Sequence, residues 1–128
     1  IYYEALKKGA YTSFIKKGTL MDMMYMPDAL HAAIQLMEAD KTKLVHHNGF
    51  NIASMSFDPE TIYQAIRKYK PEFEMVYEVD PLKQSIADSW PDQMDDSAAR
   101  KEWGWMPQYD LDSMTKDMLE KLTEKLLK

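Results

Sequence analysis

The sequence predicts a mixed α/β fold, a single unit over residues 1–128 with several short strands and about five helices. Three observations predict it. Apolar stripes of helical period follow helix-start signals such as Asp58-Pro59 and Asp80-Pro81, short alternating runs lie between them, and the apolar content reaches 45%. With 29% charged residues as well, a chain of this length can bury a core.

The opening run Ile1-Tyr2-Tyr3-Glu4-Ala5-Leu6 is amphipathic and has no capping residue before it, which predicts the last part of a helix, stopped by Gly9 in a left-handed turn. Tyr11 to Ile15 is expected as a short strand. Gly18 turns the chain into the apolar run Leu20 to Met26, whose only charge is Asp22, and Pro27 opens a helix. Ala29, Leu30, Ala33, Ile34 and Met37 are its expected buried stripe. After the polar turn Asp40 to Lys43, the pair Asn48-Gly49 precedes an expected strand, Phe50 to Ala53. Asp58 caps the next helix, whose buried face is Ile62, Ala65, Ile66 and Tyr69 and which Pro71 closes. Phe73 to Val79 alternates as a half-buried strand. Short helices follow at Leu82 to Ala87 and at Ser97 to Trp103, the second ended by Gly104. The last helix starts near Asp110, with Leu111, Met114, Met118, Leu119, Leu122 and Leu126 on one face.

Composition excludes several kinds of chemistry. A net charge of -5 with both signs interspersed lacks the clustered Lys and Arg that nucleic acid requires, so no nucleic-acid partner is expected. No apolar run is long enough for a membrane partner, and the absence of cysteine removes disulfides and thiolate metal sites and fits a cytosolic origin. A dinucleotide loop needs closely spaced glycines at a helix N-terminus; Gly9, Gly18, Gly49 and Gly104 are scattered singly, so no bound cofactor is expected.

Candidate reactive residues reduce mostly to structural roles. Tyr3 and Lys7 match a Tyr-x-x-x-Lys spacing, but with no upstream serine or nucleotide loop the match is expected to be fortuitous, and no residue is assigned as catalytic. His31 is expected to be solvated, and the neighbours His46 and His47 point in different directions, a poor geometry for a shared metal. Asp95 suits a helix cap rather than a pair with Asp96, and Glu74 and Glu78 suit a wet strand face. Met21, Met23, Met24 and Met26 are expected as soft core filler. Trp90, in Ser89-Trp90-Pro91 between two helices, either plugs a core or covers a ligand; the residues alone leave both open.

Taken in order, Met23-Met24-Tyr25-Met26-Pro27-Asp28-Ala29, Phe50-Asn51-Ile52-Ala53, Met55-Ser56-Phe57-Asp58-Pro59, and Asp96-Ser97-Ala98-Ala99-Arg100 through Gly104-Trp105 resemble the C-terminal half of the extended short-chain dehydrogenase/reductases. Ile86-Ala87-Asp88-Ser89-Trp90-Pro91 and the run from Tyr109 to Leu119 look like the NAD-dependent L-threonine 3-dehydrogenase branch. The resemblance implies a C-terminal substrate-binding lobe. An N-terminal Rossmann domain would precede Ile1, with the NAD loop and the catalytic residues on it. It implies oxidation of L-threonine to 2-amino-3-oxobutanoate in the parent enzyme, NAD as its cofactor, and Trp90 at the substrate pocket. Met21 stands where nucleotide-sugar epimerases of the family carry an arginine for the diphosphate, which favours a small amino-acid substrate. Asp28 matches the family's Val-x-Asp pattern and is expected to steady a helix start by accepting a free backbone N–H.

Two functions from different classes follow as expectations. One is the substrate-side portion of a cytoplasmic dehydrogenase, inactive by itself and self-associating through apolar faces at the first residues and at Phe50 to Ala53, with a mitochondrial location open if a targeting segment preceded it. The other is a non-enzymatic interaction module that binds a partner through the Met-rich surface and the amphipathic last helix.

Overall fold

The computed structural model describes residues 1–47 and 49–127, so Asn48 of the expected Asn48-Gly49 turn lies outside the described residues. The helices are α1 (Tyr2–Lys7), α2 (Met26–Glu38), α3 (Pro59–Tyr69), α4 (Pro81–Asp88), α5 (Ser97–Trp103) and α6 (Leu111–Leu126). The strands are β1 (Ala10–Ser13), β2 (Met21–Met23), β3 (Met55–Phe57) and β4 (Glu74–Tyr77), and a 3-10 turn spans Lys41–Lys43. β1 pairs with β4 in parallel, Ala10 opposite Glu74 and Ser13 opposite Tyr77, and β2 pairs with β3 antiparallel, Met21 opposite Phe57.

Local capping chemistry explains where the helices start. Asp58 accepts the Thr61 N–H at 2.9 Å, Asp80 accepts the N–H groups of Leu82 and Lys83 at 2.9 and 3.1 Å, and Asp110 with Ser113 forms a reciprocal capping box. Pro59 and Pro81 occupy first-turn positions, where a missing N–H costs nothing. Gly104, at φ 76°, takes the left-handed conformation that ends α5.

The main core lies between α1, α3 and α6. Tyr2, Ala5, Ile66, Phe73, Met114, Leu119 and Leu122 are buried there, and the Tyr2 hydroxyl meets the fully buried Thr115 hydroxyl at 2.9 Å. A smaller core surrounds Trp105, which packs with Ala32 and Ala99 and donates its indole N–H to the Ala53 carbonyl at 3.1 Å.

The structure corrects several expectations. Phe50 to Ala53 forms no ladder among the described residues; the strand lies further on, at Met55–Phe57, where β2 supplies hydrogen-bonding partners. Helix α2 buries Asp28 and Ala32, whereas Leu30, Ile34 and Met37 of the expected stripe point outward. The first residues are only partly an open apolar face, because α6 covers Tyr2 and Ala5 while Tyr3 stays exposed, and Phe50 and Ile52 are half-buried against the Trp105 cluster. Of the four neighbouring methionines none is fully buried, although Met23 and Met24 pack on the two cores and Met26 is exposed.

Candidate functional site

A cleft opens where the segment after β1 meets α4 and the start of α3. Two adjoining cavities, of about 330 and 190 Å³, share Phe14, Ile15, Met21 and Trp90 as lining residues. Lys83, Ile86 and Ala87 of α4 complete the smaller one, and the larger adds Met23, Phe57 and Ile62 with a few polar groups, among them Ser13, Tyr11 and Asp58. An apolar hollow with a small number of placed polar groups is the form that small-molecule sites take.

Each wall follows from local sequence. The Ser13 hydroxyl donates to the Ile15 carbonyl at 2.7 Å and accepts the Ile15 N–H at 3.3 Å, which bends the chain out of β1 and turns Phe14 and Ile15 to the cleft. The parallel ladder continues past the strand, with the Asp80 N–H donating to the Phe14 carbonyl at 3.0 Å, so the start of α4 is fixed beside Phe14. The Lys83 ammonium sits 4.3 Å from the centre of the Phe14 ring. On the opposite side, the N–H groups of Ser89 and Trp90 reach back to the carbonyls of Ile86 and Ala87, both at 3.1 Å, and the Ser89 hydroxyl reaches Ile86 at 2.6 Å. α4 ends at Asp88, and Pro91 disfavours a helical conformation at the residue before it, so the chain does not resume the helix at Trp90. The indole therefore stands on the cleft wall, 52% exposed, neither sealed in a core nor loose in solvent.

Polar residues behind the walls hold the segment between β1 and β2. Gln84, which is buried, accepts the Lys16 N–H at 2.8 Å and donates to the Thr19 hydroxyl at 3.0 Å and to Asp88 at 2.7 Å. Asp58 accepts the Gly18 N–H at 2.7 Å while it caps α3. Burial opposes the charge on Asp58, but hydrogen bonds from the Thr61 hydroxyl and from the backbone of Thr61 and Gly18 hold its carboxyl below the usual value. Burial raises the Tyr11 phenol, reinforced by Glu4, so it remains a protonated donor at neutral pH.

The other residues singled out in the sequence do not converge on this cleft. Tyr3 is exposed on α1, with the Lys7 ammonium 5.8 Å from its ring centre. His46 bonds to Glu102, whose other oxygen accepts the Val45 and His46 N–H groups at 2.8 and 3.0 Å, and His31 is half-buried rather than solvated. Among the described residues, no three His, Cys, Asp or Glu side chains come together as a metal site. Asp95 accepts the Ser97 N–H at 2.9 Å, and Asp96 is engaged by Arg100 at 2.7 Å and the Ala53 N–H at 3.3 Å. Asp28 has a partner different from the expected one: its carboxylate is fully buried and accepts the N–H groups of Gln108 and Tyr109, at 2.9 and 3.1 Å, from the segment after α5. Phe14 lies far from Gln84 and Ile86 in the sequence, and no local pattern brings them into one place.

No protein-family model matches the sequence. An uncharacterized epimerase/dehydratase of Staphylococcus aureus (strain MRSA252) is 58% identical over 125 residues, 98% of this chain and 39% of the relative. The L-threonine dehydrogenase of Clostridium difficile is 61% identical and superposes with a TM-score of 0.94, covering 98% of this chain and 39% of that one. The L-threonine dehydrogenase of Phytophthora infestans is 46% identical with a TM-score of 0.93, covering 98% and 40%. The chain thus spans about 39% of the length of the curated relatives it matches. No helix is long and apolar enough to cross a membrane among the described residues. In sequence and in fold, the chain matches the C-terminal portion of the L-threonine 3-dehydrogenases, a branch of the extended short-chain dehydrogenase/reductases.

Proposed function

We propose that this chain is the substrate-side lobe of an NAD-dependent L-threonine 3-dehydrogenase, and that the cleft beside Trp90 takes the apolar end of L-threonine. In the parent reaction the carbon bearing the threonine hydroxyl gives a hydride to NAD and the hydroxyl gives up a proton, leaving 2-amino-3-oxobutanoate and NADH. The indole of Trp90 covers the methyl side of the substrate and keeps water out, while polar contacts and proton transfer fall to residues outside this chain.

The observation that carries this reading is the chemistry of the cleft wall. Met21 and Trp90 share it, and the chain's arginines are occupied elsewhere, Arg67 on the Pro71 carbonyl and Arg100 on Asp96. The diphosphate of a nucleotide sugar is best held by a bidentate cation; a thioether cannot provide one, and Lys83, which lines the smaller cavity as a point charge, sits over the Phe14 ring. That favours a small amino acid over the substrates suggested by the epimerase/dehydratase name of the Staphylococcus relative.

The residues present do not fit a dinucleotide. Gly9, Gly18 and Gly104 each take positive φ in a turn or helix cap, far apart along the chain, so no run of free backbone amides gathers at one helix N-terminus. NAD is therefore bound by the portion of the relatives that this chain does not span, and the chain by itself is inactive. A cytoplasmic location accords with this reading. The alternative, a non-enzymatic interaction module, has lost half its basis, since α6 already packs its apolar face on α1 and α3.

A chimera tests the proposal: this chain replaces the matching C-terminal portion of the Clostridium difficile enzyme, and NADH formation from L-threonine and NAD is followed by fluorescence. Turnover by the chimera and none by the chain alone is expected. Trp90→Ala in the chimera should lower kcat/KM for L-threonine by roughly tenfold or more, the scale of a lost apolar contact, with NAD affinity unchanged. Unaltered threonine kinetics in that variant would sink the role given to Trp90.

A further inference from the structure

We infer that Gln84 is a positioning residue that sets the width of the cleft, and with it the size of side chain the cleft accepts. The inference rests on the substrate-lobe reading above and adds a residue to it. The two walls belong to different parts of the chain. Phe14, Ile15 and Met21 flank the loop between β1 and β2, while Ile86 and Trp90 lie on or just after α4.

Beyond the first turn of α4, the tie between these walls runs through the Gln84 side chain. Its amide oxygen accepts the Lys16 N–H at 2.8 Å, and its amide nitrogen donates to the Thr19 hydroxyl at 3.0 Å and to Asp88, one turn further along α4, at 2.7 Å. Gln84 thus grips the loop at two points and the C-terminal turn of the helix at a third. Gln84 and Thr19 are both buried, 8% and 6% exposed, so the bond between them has little competition from water. The Lys16–Asp88 ion pair that parallels the tie is 3.7 Å long with both side chains about half exposed, too wet to hold the spacing alone. A glutamine at this position has both the acceptor and the donor that the bridge needs; leucine has neither, and ionised glutamate keeps the acceptor while losing the donor.

The test uses Gln84→Leu and, as a shape-preserving second variant, Gln84→Glu. In the chimera, kcat/KM is compared for L-threonine and for 2-amino-3-hydroxypentanoate, which has one more side-chain carbon. A purely structural lesion lowers both together. Loss of the spacer should instead shift their ratio toward the larger substrate by roughly tenfold in Gln84→Leu, the discrimination one methylene carries in an apolar pocket, with a smaller shift in Gln84→Glu. An unchanged ratio in folded, active variants overturns the inference.

A second measurement works on the chain alone. The indole N–H resonance of Trp90 should move in both variants, whereas that of Trp105, held by the Ala53 carbonyl, should not. A Trp90 resonance that stays in place also overturns the inference. If the unsubstituted chimera makes no NADH from L-threonine, the proposed function fails by itself, and the indole measurement still decides the role of Gln84.

Discussion

Helices α2 and α6 both present an apolar stripe at helical spacing, yet the fold covers one and leaves the other open. On α6, Met114, Leu119 and Leu122 are only 7%, 7% and 8% exposed, against α1 and α3. On α2, Leu30, Ile34 and Met37 are 60%, 50% and 77% exposed, and the helix faces inward with Asp28 and Ala32. What holds α2 by its polar side is hydrogen bonding to backbone: Asp28 to the N–H groups of Gln108 and Tyr109, and Gln35 to the carbonyls of Trp103 and Gly104, both at 3.3 Å. Buried polar groups are tolerated where they are paired in this way. Helical period therefore reports which residues share a face; which face is covered depends on what the rest of the chain brings to it.

The comparison is sharpest at the sealed core. Ile66, fully buried between α3 and its neighbours, should cost about 2–5 kcal/mol when replaced by alanine, read from the urea midpoint, because both its transfer energy and a cavity are at stake. A loss under about 1 kcal/mol would mean that the core is looser than its burial indicates. Next in size is Asp28→Asn, which keeps the shape but turns an amide N–H toward one of the two donors it now serves. A loss of roughly 1–3 kcal/mol is expected, the cost of one unsatisfied buried group, and a neutral result would show that the polar side of α2 is not what holds it.

Asp58 offers a smaller effect with a pH signature. Its carboxyl is held below the usual value in the folded chain, so it contributes stability that is present above the unfolded value and is lost as pH falls through the folded one. An asparagine in place of this aspartate can still cap α3, so Asp58→Asn should cost about 1 kcal/mol at neutral pH. The acid limb of the variant should be shallower than that of the unsubstituted chain, measured as unfolding midpoint against pH. Identical acid limbs would remove Asp58 from the acid sensitivity and leave it to other carboxylates held low, such as Asp96 beside Arg100.

The same contrast explains what was legible in the sequence. Helix starts at Asp58, Asp80 and Asp110 and the stop at Gly104 are set by bonds within a few residues, and there the expected and observed elements agree. Phe50 to Ala53 has strand composition, but a strand also needs a partner ladder, and β2 meets Met55–Phe57 instead. The local pattern around Asp28 points to its own helix start, whereas the carboxylate binds residues 80 and 81 positions further on, for which no local pattern exists. The cleft is similar. Trp90 stands out because its turn is local, while its neighbours Phe14 and Met21 join it through long-range contacts: the bonds of Gln84 and Asp58, the Asp80 N–H on the Phe14 carbonyl, and the pairing of Met21 with Phe57.

The smallest expected effect bears most directly on α2. Ile34→Ala removes the same atoms as Ile66→Ala, from a side chain that is 50% exposed rather than sealed. Little apolar area returns to water, and alanine is the better helix former, so the change should stay within about 0.5 kcal/mol and lean toward stabilisation. The measurement is an unfolding midpoint taken at two chain concentrations. A loss approaching that of Ile66→Ala, and growing with concentration, would mean that a second copy covers the α2 stripe in solution, because association shifts stability by mass action. The self-association expected from the sequence would then belong to this face, rather than to the first residues or to Phe50–Ala53. A concentration-independent, near-zero change would leave the stripe solvated in the isolated chain, and the contrast between the two helices would hold as drawn.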